Sequence, residues 1–422
     1  MMPHEARALC LHPDLDKAHA QLSRHDIGAA RLRNLLGSAD ESEWSARSTT
    51  VELFDEFGRR TDMAVYVPPY RPGRRLGALI VLHGAGGSGE HVLPYFTALG
   101  DRLSMAVVAP TAQQPMQAAH NLDLAGIFGS RFRMPRWDLD GRDFPLAALR
   151  WALVELGADP NRCVLTGISM GGLATWNLSM RFWHSFAAAV PLNGALSIWE
   201  SFGTDARARF LLPNTLSLPL FVVHGAKDER IPAKFDRESV RTLRGLAHPN
   251  LEYVEVPAGA HGLDTLGLAV GSPLFHQLER WLGPASRPNK LAEIRHRASE
   301  DAHGRAHWVG LEGVTPQQTA NVHARWTALN RIDIKASGAR RVALYLRGDG
   351  LSPGDTVRVT VNGVTASVRF TPDLATVHHT FRETADPGLV AEQVVRFDVP
   401  EAHGDEPTER TNRTRCRVAD SI

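Results

Sequence analysis

The chain has 422 residues, long for one domain and enough for two, with 43% hydrophobic and 22% charged residues, a balance that supplies a core and argues against intrinsic disorder. A formal net charge of +1 lacks the strong positive field of a nucleic-acid binder. Three cysteines, Cys10, Cys163 and Cys416, are too few for a disulfide framework.

Met1 to Arg7 lack the basic start and apolar stretch of a secretory signal, and no apolar run reaches membrane-spanning length. The sequence as given therefore reads as cytoplasmic, with no membrane and no nucleic acid among its expected partners. Between residues 14 and 37, apolar positions at Leu15, Ala18, Leu22, Ala29, Leu32 and Leu36 predict an amphipathic helical segment packed against the body that follows. Ser38 to Glu43 read as a polar linker, so residues 1–45 are set apart as an N-terminal helical segment.

Strands are predicted at Thr49 to Phe54 and Met63 to Val67, joined through Phe57-Gly58-Arg59-Arg60. Further strands at Leu79 to Leu82, Ala106 to Ala109, Cys163 to Thr166, Ala187 to Pro191, Leu220 to Val223 and Leu251 to Val256 alternate with helical stretches, the last ending at Trp281. Such alternation implies an α/β fold around a mostly parallel central sheet covered on both faces, over residues 46–283. Ligands of such sheets bind at the carboxyl ends of the strands, which is where the chemically suggestive residues fall.

The first of these follows Leu79 to Leu82, where His83-Gly84-Ala85-Gly86-Gly87 can turn backbone N–H groups toward a developing oxyanion. The loop lacks the G-K-[ST] ending and G-x-G-x-x-G spacing of a phosphate cradle, and His83 reads as a brace of the turn rather than a base. Next, Gly167-Ile168-Ser169-Met170-Gly171-Gly172 sits between an apolar run and a helix-like stretch, the pattern of a nucleophile elbow. A serine hydroxyl is a weak nucleophile, so it must be lifted clear of the sheet and given a base. Glycines at 167 and 171 fit a bend too tight for side chains.

Asp228, just past the strand Leu220 to Val223, is the candidate acid, with Glu229 its nearest competitor and Asp236 a weaker one. His261, in a small-residue loop after the last strand, is the candidate base. Serine, aspartate and histidine thus follow the chain order of a Ser-Asp-His hydrolase site. One ring nitrogen of His261 would take the Ser169 proton while the other donates to Asp228. The N–H of Met170 and that of Ala85 are the candidate oxyanion donors, with Gly86 as the alternative second donor.

Two excursions interrupt the alternation: Thr111 to Phe144, with Phe128, Phe132, Trp137, Asp138, Asp140 and Asp143, and Leu196 to Ser217, with Ile198, Trp199, Phe202 and Phe210. Their aromatics could wall a substrate pocket or anchor the loops; Trp137 and Trp199 are the preferred pocket residues. Residues 284–303 read as a linker. After it, alternating runs such as Arg341 to Leu346, Thr356 to Val361 and Val364 to Phe370, with Asn362-Gly363 as a hairpin signal, predict a small all-β, sandwich-like domain over 304–400 and a polar tail over 401–422. Without an aromatic ladder, packing or homo-oligomerisation is its expected role. Histidine-rich stretches such as His378-His379 lack carboxylate or cysteine partners at ligand spacing, so no metal and no cofactor are expected.

The glycine loop, Asp159-Pro160-Asn161-Arg162 leading into the elbow, His224-Gly225-Ala226-Lys227-Asp228 and Gly259-Ala260-His261-Gly262 together resemble the α/β-hydrolase superfamily, in its esterase and prolyl-oligopeptidase-like branches, over roughly residues 47–283. The resemblance implies a serine esterase that hydrolyses a small-molecule or polymer-linked carboxylic ester through an acyl-serine. Peptidases or amidases of the prolyl-oligopeptidase-like type, polysaccharide acetyl or feruloyl esterases and polyester depolymerases share the look; the polymer-degrading ones would need export. A large propeller-like domain of the sort that filters oligopeptides is absent from the sequence, which counts against peptidase activity. More weakly, Val342 to Leu346 and Val357 to Gly363 resemble the C-terminal appendage of some such hydrolases.

Overall fold

A computed structural model describes residues 1–12, 14–38, 43–113, 137, 143–196, 206–314 and 319–400. The chain divides into two compact units, one of Glu41–Asn289 and one that combines Met1–Asp40 with Lys290–Ile422.

Five apolar runs explain the centre of the first unit. β3 (Gly77–Leu82), β4 (Met105–Pro110), β5 (Cys163–Ile168), β6 (Ala188–Leu192) and β7 (Leu220–Gly225) are buried at every position, as strands covered on both faces must be. With β1 (Arg47–Phe54), β2 (Arg60–Val67) and β8 (Leu251–Val256) they form an eight-stranded sheet of order β1-β2-β4-β3-β5-β6-β7-β8. Strands β3 to β8 run parallel; β1 with β2, and β2 with β4, pair antiparallel. The chain runs from β3 out to β4 and then back past β3 to β5, so the order reverses between β3 and β5. A crevice opens at the carboxyl ends where strand order reverses in this way. One face of the sheet, including Leu79, Val81, Val107, Val164 and Val223, packs on helices Thr97–Leu103 and Pro273–Leu282 through Leu99, Leu103, Phe275 and Leu278. Each such side chain contributes about 1.5–3 kcal/mol by leaving water.

The second unit differs from the sequence-based expectation in three respects. First, the stretch from 14 to 37 is two helices, Leu15–Arg24 and Ala29–Gly37, preceded by a third, Pro3–Cys10; the break falls where Asp26 adopts a φ of 50°. These helices are not a separate segment but part of the second unit. Ala6, Cys10, Leu22, Leu32 and Leu36 share a core with Val377, Phe381 and Val390, and the His378 Nε2–H reaches the Cys10 carbonyl at 2.9 Å. An amphipathic period reveals that a face is buried but not what buries it.

Second, residues 284–303 are not simply a linker, because β9 (Glu293–Ala298) lies within them. Its inward positions are Ile294, His296 and Ala298, too weakly apolar to announce a strand. β9 is an edge of a sheet ordered β16-β15-β13-β12-β9, with β12 (Ala320–Ala328), β13 (Arg331–Ser337), β15 (Thr356–Val361) and β16 (Val364–Arg369). A second sheet is ordered β10-β11-β14-β17, from β10 (Arg305–Ala306), β11 (Val309–Glu312), β14 (Arg341–Leu346) and β17 (Gln393–Asp398). Asn362 and Gly363 turn β15 into β16 with φ of 47° and 88°, as a two-residue hairpin requires. Third, the unit is not all-β, since helix Leu374–Thr384 separates β16 from β17 and buries Val377 and Phe381. The polar tail 401–422 lies outside the described residues, as does most of the linker expected at Ser38 to Glu43. Among the described residues, the Cys10 and Cys163 side chains are buried, and no helix is long and apolar enough to cross a membrane.

Candidate active site

Ser169 follows β5 directly and precedes helix Met170–Phe182 in a sharply bent conformation, with φ 58° and ψ −117°. A non-glycine residue is strained there, and the close packing of the bend holds it in place. The Cβ of any residue at Gly171 would stand 2.0 Å from the Leu82 carbonyl oxygen, so helix and β3 can approach this closely only with glycine.

The structure brings Ser169, His261 and Asp228 into one chain of contacts. Ser169 Oγ lies 2.7 Å from His261 Nε2, and His261 Nδ1 lies 2.7 Å from Asp228 Oδ2. Asp228 Oδ1 accepts the N–H groups of Arg230 and Ile231, each at 2.9 Å, which fixes the carboxylate plane. Ser169 and Asp228 are buried, whereas the His261 side chain is 18% exposed, leaving the imidazole as the part of the chain most open to solvent. Glu229 is exposed, and Asp236 bonds elsewhere.

Two residues outside the sequence-based set hold the acid and base loops together. Asn193, buried just beyond β6, donates from Nδ2 to the carbonyls of Ala260 (2.8 Å) and His261 (2.9 Å) and accepts the Gly225 N–H at Oδ1 (2.7 Å). Gly225 itself approaches the other loop so closely that a Cβ would stand 2.5 Å from the Ala260 carbonyl oxygen. A polar residue directly after the buried run Ala188–Leu192 was the available signal for Asn193. The other is His224, the penultimate residue of β7. Its Nδ1 lies 2.7 Å from Asp236 Oδ2, its Nε2 lies 2.8 Å from the Ile231 carbonyl, and that Nε2 faces Asp228 Oδ2 at 3.5 Å. Asp236 in turn accepts the Trp176 Nε1–H at 2.9 Å.

Burial opposes the ionised form of Asp228, but the adjacent His224 imidazole and hydrogen bonds from His261 and the Ile231 N–H outweigh it and hold the carboxyl well below the usual range. Burial likewise opposes a charged His224, yet the flanking carboxylates of Asp228 and Asp236 raise it to about 10.

The loop after β3 closes through the Gly87 N–H to the Gly84 carbonyl (3.1 Å), and Gly84 lies against Ser169. His83 braces it from beneath. Its Nδ1–H donates to the Gly84 carbonyl (2.6 Å), while Nε2 accepts the Ala112 N–H (2.9 Å) and therefore carries no proton. Burial pushes this imidazole down to about 4. Trp137, expected to wall a pocket, is instead wholly buried, donates Nε1–H to the His83 carbonyl (3.1 Å) and packs on the His83 ring. An indole N–H needs an acceptor when buried, and the turn carbonyl supplies it. Asp143 anchors the end of the first excursion through Arg59, which also pairs with Asp55, each at 2.6 Å. Trp199, Phe128, Phe132, Asp138, Asp140, Ile198 and Phe202 lie outside the described residues.

A serine strained just past β5, a carboxylate after β7 and a histidine after β8, set on this strand order, give the Glu41–Asn289 unit the arrangement of an α/β-hydrolase fold. The chain is similar to esterase LipC of Mycobacterium tuberculosis, at 26% identity over 37% of this chain and 48% of that one, so it spans about half the length of the curated relative it matches. No family model matches the chain. Among solved structures, a puromycin-hydrolysing peptidase of M. tuberculosis shares 20% identity over 57% of this chain and 39% of that chain, with a TM-score of 0.44. S-formylglutathione hydrolase FrmB of Staphylococcus aureus shares 15% over 58% and 100%, with a TM-score of 0.41.

Proposed function

We propose that the protein hydrolyses carboxylic esters through an acyl-Ser169 intermediate. The observation that carries this reading is the unbroken run of 2.7 Å contacts from Ser169 Oγ through His261 to Asp228. His261 Nε2 takes the hydroxyl proton as Ser169 attacks the ester carbonyl, and Asp228 holds the Nδ1–H tautomer and stabilises the imidazolium that forms. The Met170 N–H, in the first turn of its helix, and the Ala85 N–H are the proposed donors to the tetrahedral oxyanion. His261 then returns its proton to the departing alcohol and activates the water that releases the acid. The similarity to esterase LipC supports an ester over other acyl substrates.

Release of p-nitrophenol from acetyl, butyryl and octanoyl esters tests the proposal. Ser169→Ala is expected to lower kcat by at least about 10⁴-fold, leaving the residual rate that binding and oxyanion donors alone supply. Turnover of an aminoacyl anilide at comparable efficiency, or equal ester turnover by the variant, would overturn it.

A further inference from the structure

Behind the acid of the site lies a second pair of ionisable groups that the proposed chemistry does not use. His224 and Asp236 are both buried, and with Trp176 they fill the space between β7, the helix Met170–Phe182 and the helix Lys234–Gly245. The hydrogen bonds limit where the protons can be. A backbone carbonyl can only accept, so the 2.8 Å contact to Ile231 requires a proton on His224 Nε2. Asp236 Oδ1 is taken by the Trp176 Nε1–H, which leaves Oδ2 to share a single proton with His224 Nδ1 across 2.7 Å. That proton sits either on the imidazole, giving an imidazolium and a carboxylate, or on Asp236.

Burial alone favours the neutral arrangement. Two features favour the ion pair. The Nε2–H edge faces the second carboxylate, Asp228, at 3.5 Å, and Asp236 keeps an N–H donor that supports its negative charge. Around them, β8 contributes Tyr253 and Glu255, the latter paired with Arg237 of the helix that carries Asp236, and the loop after β8 contributes His261. Glu255 adds a further negative neighbour for His224.

We propose that His224 and Asp236 form a buried imidazolium–carboxylate pair whose positive end faces Asp228 and sets the lower pH limit of the site's activity. His224 is here a positioning residue, acting through Asp228 and never touching substrate. Its N–H edge shares Asp228 with His261, so it holds the carboxylate ionised and moderates how strongly that carboxylate retains a proton on the base. The proposal rests on the esterase reading only for its kinetic test.

Asp236→Asn is the informative change. The new amide can still accept the Trp176 N–H and can donate to an unprotonated His224 Nδ1, so geometry persists while both charges of the pair disappear. With the nearer, positive charge gone, Asp228 retains the His261 proton more firmly. The acid limb of kcat/KM for p-nitrophenyl butyrate is then expected to move to higher pH by about half a unit or more. Trp176→Phe, which removes a donor without altering charge, is expected to shift it less. A role confined to packing would lower rates at every pH and leave the limb in place; a limb that stays put or moves to lower pH overturns the proposal.

The wild-type protein provides a test that needs no variant to fold and no turnover. In ¹⁵N-histidine-labelled protein, one imidazole is expected to keep both ring nitrogens protonated up to pH 8.5, a signal that His224→Gln identifies by removing it. Absence of any such imidazolium overturns the pair. If it is present but no ester is turned over, the esterase reading fails and the pair stands.

Discussion

Replacing Asn193 by alanine should reveal how the acid and base loops are held in register. The amide makes three hydrogen bonds, at 2.8, 2.9 and 2.7 Å, to the Ala260 and His261 carbonyls and from the Gly225 N–H. Each is worth about 1 kcal/mol net, and a backbone group left buried without a partner costs more. Asn193 also holds a φ of 42°, which asparagine tolerates better than alanine. Together these place the loss of stability at about 3–5 kcal/mol. Because two of the bonds fix the backbone of the His261 loop, the base should drift from Ser169, and a displacement of about 1 Å can cost about 100-fold in rate. Urea unfolding followed by tryptophan fluorescence measures the first effect, and kcat/KM on p-nitrophenyl butyrate measures the second. Asn193→Gly separates them from backbone strain, since it accepts the positive φ and loses the same bonds. A variant destabilised by less than about 1 kcal/mol, with unchanged kcat/KM, would refute the argument that this side chain ties the loops.

Three further outcomes follow from the same contacts. Gly171→Ala should be inactive and destabilised by about 3 kcal/mol or more, because its Cβ would meet the Leu82 carbonyl oxygen at 2.0 Å; a wild-type Tm in thermal unfolding would contradict this. His83 is held neutral in the folded chain, down to about 4 from an ordinary value of 6.5, so its contribution is fully present above pH 6.5 and is lost as pH falls toward 4. The amount lost is roughly 3 kcal/mol, and His83→Gln, which keeps an acceptor for the Ala112 N–H, should remove that part of the pH dependence of urea unfolding; equal slopes in both proteins would count against it. Leu32→Ala empties a fully buried site in the core that the N-terminal helices share with Val377 and Phe381, and should cost about 2–4 kcal/mol in the unfolding transition of the β-rich unit. Hydrogen exchange at β14 and β17 would locate the effect, and unchanged protection there would refute the shared core.

Much of the α/β unit was legible because its signals are local. Continuous apolar runs mark strands buried on both faces, as in β3, β4 and β7. Glycines around Ser169 mark a bend that no side chain allows. The chain order of Ser169, Asp228 and His261 follows from where each strand ends, since in a parallel sheet every strand delivers its carboxyl end to the same edge. The second unit was harder to read, because β9 turns histidine and alanine inward and offers no apolar alternation.

The sequence by itself determined which residues stand at the carboxyl edge of the sheet, because that follows from strand order and the period of burial along the chain. Only the tertiary structure decided which of them meet. Trp137 became a brace for His83 rather than a pocket wall, Asp236 a partner of His224 rather than of His261, and the N-terminal helices part of a core built with residues near the other end of the chain. Hydrogen bonds and close packing act over about 3–4 Å between groups brought together by folding, and separation along the chain carries no record of them.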